Sequence, residues 1–448
     1  MHSESFLRFL KYFGWHKNRF LFLCALIGIF GGALAVAFQL SIFGLFNLIW
    51  NFGAILGEQN RWWLMPLMPA FGAFLVGVSL STFAKGNAEG SGIPQTKARF
   101  YNNWGVFRFK EIACRFLMGT IFCGFGNSAG REGPTVHLCS AFASVLAQKL
   151  GFSKFGVKDA VPVGMASGIS ASFNAPLSSI SFVFEELLNT GNAKIRHFGG
   201  MILAVVLAAA VSRLIVGEHP VIGVPDADFH TGIWMLFSVA VAVCAGFVGV
   251  LFLRLLLKLR GFANSQKKLP YWATATLGGL AVGIVATYAY YKTGYNAVFS
   301  VGYSALIPAF NGEILLSGMA VICLFKFLAT IVNYAMGGSG GLFSPTLVIG
   351  GMLGGVLGIL FTPLLGESAN LVSAGVLLGM GACFAAIIRC PITSVVIIFE
   401  LTLNYSLILP LMVGNFIAYC IAMHFNRAGL YDALLMQDGI RLKLFPRK

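Results

Sequence analysis

Three short runs combine glycine with proline: Gly90-Ser91-Gly92-Ile93-Pro94, Gly130-Arg131-Glu132-Gly133-Pro134, and Gly337-Gly338-Ser339-Gly340-Gly341-Leu342-Phe343-Ser344-Pro345. Each reads as a helix start, because proline suits the first helical turn, where its missing N–H costs nothing, and glycine keeps the preceding backbone open. Helix starts that converge inside a protein present unpaired N–H groups and partial positive charge, which can hold a small anion without a full cation in its path. Gly90, Gly92, Gly130, Arg131, Gly133 and Gly341 are the candidate residues of such anion loops. A phosphate-binding loop would need G-x-x-x-x-G-K-[ST], which does not occur, so nucleotide chemistry has no support.

Acidic residues sharpen the reading. Glu132 lies inside the second run, where its carboxylate can occupy the same positive pocket as an anion and leave it on protonation. The plain structural alternative is an ion pair with Arg131 or a helix N-cap. Glu185 and Glu186 are adjacent, and neighbouring helix positions point about 100° apart, so they serve different ends. The seven histidines show no H-E-x-x-H and no i, i+4 pair, and the nine cysteines sit in apolar segments without C-x-x-C, so no metal or other cofactor is expected. An intramembrane hydrolase using Ser339 or Ser91 as nucleophile is a remote alternative that lacks an evident positioned base.

The elements that must position these residues are apolar. Of 448 residues, 57% are hydrophobic and 10% charged, against roughly 25% charged in a soluble domain. The chain reads as one all-α, multi-pass integral membrane transport domain. Its net charge of +15 reads as positive-inside bias and a pull on anions rather than nucleic-acid binding. Basic clusters near both termini and around 254–268 place both termini in the cytoplasm. Helical segments are expected at 20–50, 63–84, 112–126, 134–150, 161–171, 176–187, 198–217, 232–257, 270–292, 314–335, 345–363, 371–387, 391–402 and 406–425. Several are too short to cross: 176–187 reaches only about 18 Å, and such half-helices persist at membrane depth only where they line a polar cavity.

An internal repeat orders them. Gly164 to Glu185 lies over Gly379 to Glu400 at an offset of 215, and Gly130-x-x-x-Pro134 lies over Gly341-x-x-x-Pro345 at an offset of 211. Repeats with interrupted helices in matching positions indicate a transporter whose site lies where the halves meet. The expected organisation is a cytoplasmic amphipathic helix over 1–19, a first repeat over 20–217, an extracellular or periplasmic loop over 218–231, a second repeat over 232–425, and a cytoplasmic segment over 426–448 carrying Tyr431. Glu185 and its repeat mate Glu400 are expected to hold helix ends by hydrogen bonds.

The G-S-G-I-P, G-R-E-G-P and G-x-F-x-P runs, in this order, together with Phe173-Asn174-Ala175-Pro176, Phe184-Glu185-Glu186 and Gly429-Leu430-Tyr431, resemble the CLC chloride channel and transporter family, most closely its bacterial proton-coupled branch. The resemblance implies an inverted-repeat bundle of tilted and partial helices, interrupted at mid-membrane, that assembles as a homodimer in the lipid bilayer, in the inner membrane if the source is bacterial. It implies chloride bound by the hydroxyls of Ser91 and Tyr431 and the backbone near Leu342 and Phe343, with Glu132 as the external gate and Glu186 as the internal proton carrier. Serine at position 91 implies chloride rather than nitrate. The implied function is secondary active exchange of chloride for protons, with a passive voltage- or pH-gated chloride channel as the alternative. Gln95 and Lys97 depart from many relatives, and Lys97 is a candidate neighbour of Glu186. The residues after Tyr431 are too few for the paired CBS domains of many eukaryotic members, so no nucleotide partner is expected.

Overall fold

The computed structural model describes residues 15–55, 58–84, 86, 88–188, 198–218, 231–266, 269–365 and 368–443. Most of the expected N-terminal amphipathic helix and of the 218–231 loop lies outside the described residues. In the first half, α1 (Trp15–Leu26) continues through a π-turn (Ile27–Gly31) into α2 (Gly32–Ile55). There follow α3 (Glu58–Ser81), α4 (Ile93–Asn102), α5 (Phe109–Gly124), α6 (Glu132–Lys149), α7 (Lys154–Phe173), α8 (Pro176–Phe182) with a π-turn at its end (Val183–Leu188), and α9 (Phe198–Val216). The second half runs α10 (Thr231–Ser265), α11 (Tyr271–Thr293), a 3-10 turn (Tyr303–Ala305) into α12 (Leu306–Phe310), α13 (Leu316–Ala335), α14 (Phe343–Leu365), α15 (Ser368–Ile388), α16 (Pro391–Thr402), α17 (Ile408–Phe425) and α18 (Leu430–Gln437).

Three differences from the sequence reading have physical causes. α7 starts near Lys154 rather than at 161, because Ser153 caps it through the Gly156 N–H and Pro162 is accommodated inside it. α10 runs on through its basic end to Ser265. α4 and α18 are short and amphipathic, so a search for apolar runs passes over them. Nine helices among the described residues are long and apolar enough to cross a membrane. One of these segments, Leu371–Ile388 in α15, is wholly buried, as a helix apolar on every face must be if it stands inside the bundle. Large apolar side chains such as Leu214, Leu236, Leu315 and Leu364 face outward, where a lipid phase removes the penalty that water would impose.

The two halves meet through repeat mates. Gly130 and Gly341 exchange both backbone hydrogen bonds, at 2.7 and 2.6 Å, in an isolated antiparallel bridge. Glu185 accepts from the N–H groups of Ile392 (3.0 Å) and Thr393 (2.7 Å) at the start of α16, while Glu400 accepts from those of Leu177 and Ser178 (both 2.8 Å) at the start of α8. Each carboxylate thus pairs two donors that a helix start leaves unmatched, as the repeat led us to expect. Close helix contacts repeat as well: a Cβ on Gly164 of α7 would lie 2.4 Å from the Cys139 carbonyl of α6, and one on its mate Gly379 of α15 would lie 2.1 Å from the Gly350 carbonyl of α14.

Candidate functional site

All three glycine–proline runs meet at the junction of the halves. A Cβ on Gly133 would lie 2.5 Å from the Ser91 carbonyl oxygen and 3.1 Å from Gly341 Cα, so this one position touches both other runs. The first run turns sharply, with φ of 64° at Gly90 and 93° at Gly92, a region costly for any side chain. Arg115 of α5 fixes that turn by donating to the Gly90 (2.8 Å) and Glu89 (3.0 Å) carbonyls. The first and third runs are pinned together by Gly90 N–H to the Gly338 carbonyl (3.1 Å) and by the Ser339 hydroxyl to the Ala88 carbonyl (2.6 Å). Ser339 therefore has a structural partner, and no base stands with it in that bond.

Ser91 on the first run and Tyr431 on α18 are both buried, and their hydroxyls have no hydrogen-bond partner among the described residues. Burying an unpaired hydroxyl costs about 1–3 kcal/mol, so each of the two is left able to donate to an acceptor. Leu342 and Phe343 open α14, where the first N–H groups have no intrahelical acceptor. The Phe343 ring closes an apolar wall with Phe173, Phe182 and Phe384, at centroid distances of 5.0, 5.7 and 4.4 Å. Tyr334, beside Gly90, lines a cavity of about 610 Å³ with Glu89, Gln95, Arg260 and Asp438.

Glu132 opens α6, and only 1% of its surface is exposed. Its Oε1 accepts from the Tyr303 hydroxyl at 3.1 Å, and its Oε2 accepts from the Ser344 hydroxyl. Arg131 Nε stands 3.7 Å from Oε1 while its guanidinium also donates to the Ser172 carbonyl and lies over the Phe43 ring. The ion pair weighed from sequence is thus present as a long contact, and the two hydroxyls are the close partners. Sequence reasoning missed both: Ser344 is the variable position of the G-x-F-x-P run, and Tyr303 carries no local signal. It also missed Lys326 of α13, fully buried, whose ammonium donates to the Ser300 (2.7 Å) and Val298 (3.3 Å) carbonyls.

Glu186 sits in the π-turn after α8, apart from this junction. Lys97 Nζ is 2.9 Å from its Oε1, Cys390 Sγ is 3.9 Å from its Oε2, and the same Lys97 Nζ is 2.7 Å from Asp432 Oδ1. Among the described residues no group of three or more histidine, cysteine or acidic side chains is placed to hold a metal ion.

Helix starts from two inverted halves, meeting inside a bundle of apolar helices beside a buried carboxylate, define a membrane ion-transport fold. The sequence matches the family described as voltage gated chloride channel over residues 72–423, and the chain belongs to that family. It is 30% identical over 431 residues to the H(+)/Cl(-) exchange transporter ClcA of Yersinia pseudotuberculosis, covering 93% of this chain and 87% of the relative. It is 29% identical over 439 residues to a putative chloride channel protein, ClcB-like, of Ralstonia nicotianae, covering 94% and 98%. Its fold is that of a slow cyanobacterial Cl-/H+ antiporter of known crystal structure, with a TM-score of 0.86 at 23% identity over 94% of this chain and 98% of the other.

Proposed function

We propose that the protein is a secondary active antiporter that exchanges chloride for protons across the membrane. The observation that carries this reading is the pair of buried hydroxyls without a hydrogen-bond partner among the described residues, Ser91 on the first run and Tyr431 on α18, taken with the buried carboxylate of Glu132 at the junction. Neutral hydroxyls and the N–H groups opening α14 at Leu342 and Phe343 hold chloride loosely enough for turnover. Glu132 gates the outer side: its carboxylate occupies the anion's pocket when charged and vacates it when protonated, so each chloride that passes displaces a proton carrier. Glu186, a second buried carboxylate beside an inner cavity, relays protons to the cytoplasmic side. The names of the relatives, an exchange transporter and a putative channel, bracket the two modes of this architecture.

Both termini are assigned to the cytoplasm, and the working form to a homodimer in the cell membrane. An apolar groove on α16 and α17, lined by Ile392, Val395, Phe399, Met412 and Phe416, offers a face for the second copy. The deciding experiment is the reversal potential of the purified protein in bilayers under a chloride gradient, with and without a pH gradient. Coupled exchange displaces it from the chloride equilibrium potential and makes it follow pH, and Glu132→Ala or Glu186→Ala restores it. A wild-type protein that reverses at the chloride potential and ignores pH is a passive channel, and the reading is then wrong.

A further inference from the structure

Glu186 shares its Lys97 contact with a second carboxylate. Lys97 of α4 is 2% exposed and touches two carboxylates at once, Glu186 (8% exposed side chain) and Asp432 (33%). One ammonium set between two carboxylates ties their charge states together, because a proton taken up by either acid leaves the ammonium to the other. The two carboxylates differ in access to water, Asp432 being the more exposed. Asp432 lines a cavity of about 240 Å³ together with Lys97, Glu185, Glu186, Arg389 and Arg427. It also lines a second cavity of about 610 Å³ with Leu435, Met436 and Arg441.

Several of the other groups around it have partners elsewhere. Glu185 caps α16, and the Arg389 guanidinium donates to the Tyr419, Ala422 and Asn426 carbonyls at the end of α17. Tyr101 donates to the Leu187 carbonyl at 2.6 Å, and the Cys390 thiol faces Glu186. Arg427 lines the cavity wall and Tyr419 stands beside it.

We propose that Asp432 is the residue at which protons are loaded from the inner face, and that Lys97 is a positioning residue that hands its charge from one carboxylate to the other. This rests on the reading of Glu186 as the proton carrier. A proton from water in the cavity adds to the Asp432 carboxylate, and Lys97, which keeps its three protons throughout, is left to Glu186. The proton then passes from the Asp432 carboxyl, through cavity water, to the Glu186 carboxylate. Asp432 is charged again and draws the ammonium back. One proton arrives, one moves on, and the ammonium shifts its pairing. Asp432 directly follows Tyr431 on α18, so loading takes place on the helix that carries a proposed chloride ligand.

The test is chloride-driven proton flux through the reconstituted full chain, measured against inner pH, for the wild type, Asp432→Asn, Asp432→Glu, Lys97→Met and Glu186→Ala. Asp432→Asn leaves the Lys97 ammonium to Glu186, which favours the charged form of that carboxylate, so proton flux should fall about tenfold at an inner pH of about 7.5 and recover on acidification. Asp432→Glu should restore the wild-type profile. Lys97→Met removes the cation from both acids, so the profile should move to higher pH by about one to three units. Chloride affinity of Asp432→Asn, measured by calorimetry, should stay at the wild-type value. A wild-type inner-pH profile in Asp432→Asn overturns the proposal, as does a flux loss matched by an equal loss of chloride affinity, which would mean that only Tyr431 had moved. Coupled flux that survives in Glu186→Ala refutes the underlying role of Glu186 instead.

Discussion

Tyr303→Phe removes one atom from the surroundings of Glu132 and leaves the ring in place. The hydroxyl donates to the carboxylate at 3.1 Å, longer than the 2.5–2.7 Å usual for a hydroxyl on a charged acceptor. We therefore take the low end of the range for hydrogen bonds to charged groups, about 1.5 kcal/mol, which corresponds to roughly tenfold in an equilibrium constant. If the carboxylate and chloride compete for one pocket, weakening the carboxylate's hold by that factor lets chloride bind up to about tenfold more tightly. Calorimetric titration of chloride into the detergent-solubilised protein at neutral pH reads this directly. The same substitution in a Glu132→Ala background should do nothing, because the competitor is gone, and this completes a double-mutant cycle. Unchanged or weaker binding in Tyr303→Phe, or an equal effect in the Glu132→Ala background, would refute the competition between carboxylate and anion.

Two further outcomes follow from the geometry. Gly133→Ala should abolish chloride binding or prevent folding, since the added methyl would lie 2.5 Å from the Ser91 carbonyl oxygen and both neighbours are backbone; a variant that binds chloride normally in calorimetry would show that the runs are less closely joined. Glu400→Ala strips the cap from α8 as Glu185→Ala strips it from α16, each at a cost of about 1–2 kcal/mol, so thermal unfolding in detergent should show similar falls of roughly 1–3 °C in both; a loss in only one of them would break the equivalence of the two braces.

Much of the junction was legible in the sequence because its signals are local. Proline and glycine announce helix starts wherever they fall, and a repeat at nearly constant offset shows which starts face each other. The capping pair Glu185 and Glu400 could be read for the same reason, since both lie at matched positions of the repeat. Glu132 and Glu186 stand out by the opposite sign: their mates are Phe343 and Leu401, so the carboxylates proposed to move ions sit where the repeat is broken. What escaped was non-local. Tyr303 lies 171 residues from Glu132 along the chain, and Asp432 and Lys97 are joined only when α18 folds back onto α4. Lys326 went unread, because the carbonyls of Ser300 and Val298 that accept from it carry no mark in a sequence.

The braces at Glu185 and Glu400, with the bridge between Gly130 and Gly341, have the form of an isologous interface: each side offers the same acceptors and donors that it receives. Two copies of a chain half this length, inserted in opposite directions, would make these contacts with each other. Held in one covalent chain, the two halves keep these reciprocal contacts while differing from each other elsewhere. At matched positions one half carries an acid, Glu132, and the other a phenylalanine, Phe343, a division of labour that identical subunits could not adopt.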